Sequence, residues 1–65
     1  MDETLLGRTT RVVTFVDKCN TIRMVRKPAG TFVYVTATKQ AGVFRVRVPQ
    51  TLLEQDVYLS AVEPV

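Results

Sequence analysis

The chain has 65 residues, 46% of them hydrophobic and 23% charged, with nine Lys and Arg, six Asp and Glu, and a formal net charge of +3 at pH 7. That length sets one domain with a small core, because a chain of this size buries only about 60% of the surface that its unfolded state exposes. A single cysteine, Cys19, excludes an intrachain disulfide, and with no histidine there are too few ligands for a zinc site, so neither a metal nor any other cofactor is implied.

Residues 1–7 could form one helical turn, with Asp2 as cap and Gly7 ending it, or an unstructured end. Residues 11–16, Arg-Val-Val-Thr-Phe-Val, are β-branched and aromatic and predict a first strand. Its apolar groups, Val12, Val13, Phe15 and Val16, fall on both faces, so either both are covered or one belongs to an interface. Residues 17–20 form a short polar link, and 21–27 a second strand with Ile22 and Met24 opposite Arg23 and Val25. Lys27-Pro28-Ala29-Gly30 has the proline and glycine positions of a type I turn.

Residues 31–38 make the longest β-rich run, with Phe32 and Tyr34 on one face and Val33 and Val35 on the other. Phe32 is assigned to the core, although the stretch from Gly30 to Tyr34 bears a faint similarity to the aromatic strand of an RNA-recognition motif. After a loop at 39–42, residues 43–48 alternate strictly. Phe44, Val46 and Val48 take a buried face, and Val43, Arg45 and Arg47 the face in water. Pro49 ends that strand, and 50–55 have the composition of a single helical or 3₁₀ turn with Leu52 and Leu53 turned inward. Residues 57–62 predict the last strand, stopped by Pro64.

The chain is therefore expected to be all-β, a single domain over residues 1–65, with five strands closed into a small barrel that hides its edges. This order resembles an SH3-like barrel, in which a helical turn commonly precedes the last strand. The resemblance implies a five-stranded barrel with one helical or 3₁₀ turn at that point. It does not extend to proline-rich peptide recognition, because tryptophan and an acidic first loop are missing. A helical turn followed by five strands is also similar to an Sm-like chain, which would imply a ring of subunits. Residues 45–55 further resemble the strand–proline–helix unit of AbrB-type regulators, which implies a DNA-binding, regulatory dimer.

Catalysis is not expected. No histidine is present, the acids sit at scattered positions, and Cys19 beside Lys18 has no base to activate it. All nine cations and one acid, Asp17, fall within residues 8–48, a local excess of eight, while five acids occupy the two ends. Such asymmetry steers anionic partners or draws copies together. Six of the nine are arginine, suited to forked contacts with phosphate or carboxylate. Arg23, Arg45 and Arg47 are the expected phosphate contacts, with Lys27 and Lys39 at loop tips and Tyr34 or Tyr58 as the stacking aromatic. The expected function is a small basic module that contacts nucleic acid through an arginine-bearing sheet face. The alternative is a protein-interaction or accessory subunit that docks an acidic protein surface or forms a homo-oligomer through Val12, Val13, Val33 and Val35. No apolar run approaches the roughly 18 residues of a membrane span. The acidic start lacks the features of a signal peptide, and a lone thiol fits a reducing compartment, so a cytoplasmic location is expected.

Overall fold

The computed structural model describes residues 4–20 and 22–65, and among them all regular structure except one 3₁₀ turn is β-strand. The strands are β1 (Thr4–Thr9), β2 (Val13–Asp17), β3 (Met24–Lys27), β4 (Phe32–Ala37), β5 (Val43–Arg47), β6 (Leu53–Tyr58) and β7 (Val62–Pro64). The 3₁₀ turn, Leu59–Ala61, separates the last two. They form one antiparallel sheet in the order β3-β2-β6-β5-β4-β1-β7. Among the described residues β3 and β7 do not pair with each other, so the ladder has two open edges.

One face of this sheet holds the core. Phe15, Val33 and Val46 are fully buried, and Val13, Leu53 and Val62 join them, with Val25, Val35, Val48 and Val57 packed around. A buried side chain of this kind contributes about 1.5–3 kcal/mol, so a handful of them carries much of the stability of so short a chain. β1 adds no bulk at its centre. A Cβ on Gly7 would lie 2.8 Å from Val35 Cγ2, 3.0 Å from Val62 Cγ2 and 3.1 Å from the Glu63 carbonyl, so glycine lets β1 lie close between β4 and β7. Thr9, also buried, ties β1 to the expected turn at 27–30. Its hydroxyl donates to the Pro28 carbonyl and accepts from the Thr31 amide, both at 3.2 Å, and its carbonyl accepts from the Gly30 amide at 2.7 Å.

Several expectations are corrected. Among the described residues the sheet has seven strands rather than five, and it does not close. Residues 4–7 belong to β1 and are neither a loose end nor a helical turn, because β4 and β7 supply the pairing that an isolated segment lacks. The proposed cap Asp2 lies outside the described residues, as does Thr21, the expected start of the second strand. That strand begins at Met24, and just before it the Asn20 carbonyl accepts from the Arg23 amide at 2.9 Å. The helical turn expected at 50–55 is absent. Pro49 and Gln50 form a tight turn, with Gln50 at φ 64°, and β6 already begins at Leu53 because β5 offers it a ladder. Leu53 is buried there, whereas Leu52 is exposed. The 3₁₀ turn instead interrupts the expected strand at 57–62. With strand in place of helix after Pro49, the AbrB-like unit is lost, and with strand at 4–7 so is the described part of the Sm-like helical turn. No helix among the described residues is long and apolar enough to cross a membrane.

Candidate binding face of the sheet

Side chains directly opposite one another on paired strands share a face, so the register lists the neighbours of each arginine on β5. Arg47 lies between Tyr34 on β4 and Glu54 on β6, and Tyr34 lies beside Leu6 on β1. The next rung is Thr4, Thr36, Arg45 and Asp56. On the other side of the first rung, Arg8 sits between Phe32 and Glu63. This is the face opposite the core. Phe32 is 51% exposed, Leu6 48% and Tyr34 38%. The assignment of Phe32 to the core is therefore corrected. β4 turns Val33 and Val35 inward, and a strand with apolar groups on both faces does not by itself reveal which face is covered.

The electrostatics of the face are set by pairing across strands. Arg45 Nε donates to Asp56 Oδ1 at 3.1 Å. This hydrogen bond, the charge of Asp56 and, more weakly, that of Glu54 raise the guanidinium above its ordinary pKa, outweighing a small desolvation. A raised cation contributes its stabilisation in full below the unfolded-state pKa and loses it only in strong alkali, so the pair is constant across the neutral range. Arg8 pairs with Glu63 at 3.2 Å, Arg23 with Asp17 at 3.5 Å and Lys18 with Glu54 at 3.7 Å. These four pairs engage every acid among the described residues. Exposed pairs add little stability, but they cancel charge. Among the described residues Arg11, Arg26, Lys27, Lys39 and Arg47 remain without an acidic partner. Of these Arg47 lies on the rungs of this face, its guanidinium 5.6 Å from the Tyr34 ring centroid.

The structure thus brings together three of the expected site residues, Arg45, Arg47 and Tyr34. It separates the others. Arg23 is in the link between β2 and β3, held by Asp17; Lys27 ends β3, half-buried opposite Val13; Lys39 is exposed in the β4–β5 loop. Tyr58 is exposed at the end of β6, across from Val43. Sequence reasoning missed Leu6, Arg8 and Phe32 as members of the face. The spacing of Phe32 and Tyr34 signalled their common side, but Leu6 and Arg8 gave no signal without β1.

A second surface opens where β2 and β6 part after pairing only at Val16↔Glu54 and Asp17↔Leu53. Gln55 spans the gap. Its Nε2 donates to the Thr14 carbonyl at 2.9 Å and its Oε1 accepts from the Asp56 amide at 3.0 Å, so one carboxamide replaces a peptide group in the ladder. Beside it lies an open cleft of about 330 Å³ lined by Arg11, Val12, Tyr58 and Ser60. Cys19 is exposed on the hairpin at the other end of β2, its amide donating to Asp17 Oδ1 at 2.9 Å. Comparison of the chain with family models, with curated proteins and with solved structures finds no match.

Proposed function

We propose that the protein is a small, non-enzymatic binding module that contacts nucleic acid through the outward face of β1, β4 and β5. The observation that carries this reading is the exposure of Phe32 and Tyr34 on one side of β4, with Arg47, which pairs with no acid among the described residues, beside them. Aromatic rings beside an arginine give base stacking together with a salt-dependent phosphate contact. Arg47 is the principal phosphate contact. Arg45, tied to Asp56, flanks it, while Lys39, Lys27 and Arg23 act from the periphery. We read the path of the chain as that of an SH3-like barrel; the support is the single 3₁₀ turn directly before a last strand that returns to β1.

A protein partner is the second reading, and a specific observation favours it. All four described acids are paired to cations, so the face is less cationic than the linear sequence, while Leu6, Phe32, Tyr34 and Arg47 make the aromatic and arginine mixture common at interface centres.

The test is fluorescence anisotropy of a labelled mixed-sequence oligonucleotide, supplied as single strand and as duplex, at low and moderate salt, with light scattering alongside. Binding of either form that weakens with salt is expected. Arg47→Gln should weaken it more, and lower the salt slope more, than Lys39→Gln, which removes the same charge from the loop. Equal effects would point to net charge alone and against the sheet face. A stable oligomer that ignores both forms would favour the protein partner.

A further inference from the structure

We infer that the ligand of this face is a single strand, held by one base on Phe32 and the next on Tyr34, and that duplex is excluded. This rests on the nucleic-acid reading above and narrows it. Phe32 and Tyr34 are two residues apart on β4 and share a face, which separates their Cα positions by about 6.8 Å along the strand. That is twice the roughly 3.4 Å step between neighbouring nucleotides in a duplex strand. Consecutive bases reach both rings only when they are unstacked from each other. In a duplex the π-faces of all but the end bases are covered by their neighbours, and no ring on a sheet surface can reach them.

The surroundings of each ring agree with this. Phe32 is half exposed, with the ion-paired Arg8 as its register neighbour on β1, so its ring is open to a base. Tyr34 is more enclosed, with Leu6 on one side and Arg47 on the other. At 5.6 Å from the centroid the guanidinium is at the outer limit of a cation–π contact, which is weak at an exposed site. A base displaces it from the ring, and the freed fork, which has no acid within pairing distance among the described residues, turns to the phosphate between the two nucleotides. The acids on the same face, Glu54, Asp56 and Glu63, are each paired to a cation, Lys18, Arg45 and Arg8, which limits their repulsion of the backbone.

The experiment measures affinity for a labelled thymidine 12-mer and for a 12-base-pair duplex, using the full chain and the variants Phe32→Ala, Tyr34→Ala and Tyr34→Phe. Both positions are exposed enough for the variants to fold, and circular dichroism checks each one. The single strand should bind more tightly than the duplex. Each alanine should weaken single-strand binding by about 5- to 150-fold, the range for loss of one stacked base, while Tyr34→Phe retains binding. Duplex bound as tightly as the single strand, or alanine variants that bind as the parent does, would overturn the inference and leave the broader nucleic-acid reading standing. Failure of the parent chain to bind either form would overturn both.

Discussion

Replacing Gly7 with alanine tests the part of the fold that the sequence concealed. The new methyl would sit 2.8 Å and 3.0 Å from methyls of Val35 and Val62, and 3.1 Å from the Glu63 carbonyl. Comfortable carbon–carbon contacts lie at about 3.5–4.0 Å, so β4 or β7 must withdraw from β1 by roughly half an ångström or more. Neither valine can turn aside freely, because branching at Cβ restricts χ1. Overpacking of this kind costs about 1–3 kcal/mol. A chain of this length has a total stability of about 3–10 kcal/mol, and each kcal/mol lost lowers Tm by about 4–8 °C. Gly7→Ala should therefore unfold at a temperature lower by somewhere between ~4 and ~24 °C, measured by circular dichroism and checked by urea titration with an unchanged m-value. The sign is diagnostic. In a loose end or a short helical turn, alanine would be neutral or mildly stabilising, since it restricts the unfolded chain and favours helix. A Tm equal to or above the parent value would refute the close approach of β1 to β4 and β7.

Two other substitutions probe polar joints of the sheet. Gln55→Ala removes the carboxamide that bridges Thr14 and Asp56, and should cost about 1–2 kcal/mol while speeding hydrogen exchange at the Asp56 amide; protection unchanged at that amide would show that the bridge is not made. Thr9→Val keeps the shape of the side chain but leaves the Thr31 amide without its hydroxyl acceptor, while the Pro28 carbonyl keeps the Thr31 hydroxyl at 2.6 Å; the expected loss is about 1–3 kcal/mol in chemical denaturation, and a neutral result would argue against the tie between β1 and the 27–30 turn.

Much of the fold was legible where period and chemistry agreed. In β5 the alternation of Phe44, Val46 and Val48 with Arg45 and Arg47 gave both the strand and its orientation, and Val46 is fully buried. Turn chemistry located the turn at Pro28 and Gly30, but the turn is centred on Ala29 and Gly30, one residue later than a type I turn over 27–30, with Gly30 at φ 87°. The failures came where local preference met a partner that the linear text does not display. Leu5, Leu6 and Gly7 carry no strand signature, and β4 and β7 recruit them through hydrogen bonds to their backbone. Leu53, Glu54 and Gln55 favour helix as a segment, yet the ladder with β5 and the link to β2 override that preference. On β4 the period was right and the polarity was lost, because Phe32 and Tyr34 look at least as apolar as Val33 and Val35. The inward face is the one on which a Val35 methyl closes over Gly7, 2.8 Å from where a Cβ there would lie. Val33, once a candidate for an oligomer face, is fully buried, so a charge placed there would test folding rather than assembly.

The charge pattern carries the most consequence for function. Along the chain, basic and acidic residues stand apart, and that separation suggested a strong one-sided field. Antiparallel pairing brings them together: β6 returns Glu54 and Asp56 to the side of Arg47 and Arg45, and β7 returns Glu63 to Arg8. Three of the eight excess charges are thereby offset, and on the outward face three arginines meet three acids, so what distinguishes it is no longer the number of its cations. Arg47 is unlike Arg45 because its register neighbour Glu54 is drawn to Lys18, leaving the guanidinium to rest over an aromatic ring. A cation held by a carboxylate gains little by turning to a phosphate, since it exchanges one anion for another. A cation held only by a ring gains a full charge-assisted contact, so on the proposed nucleic-acid reading Arg47 is expected to contribute more to phosphate affinity than Arg45, two residues away on the same strand.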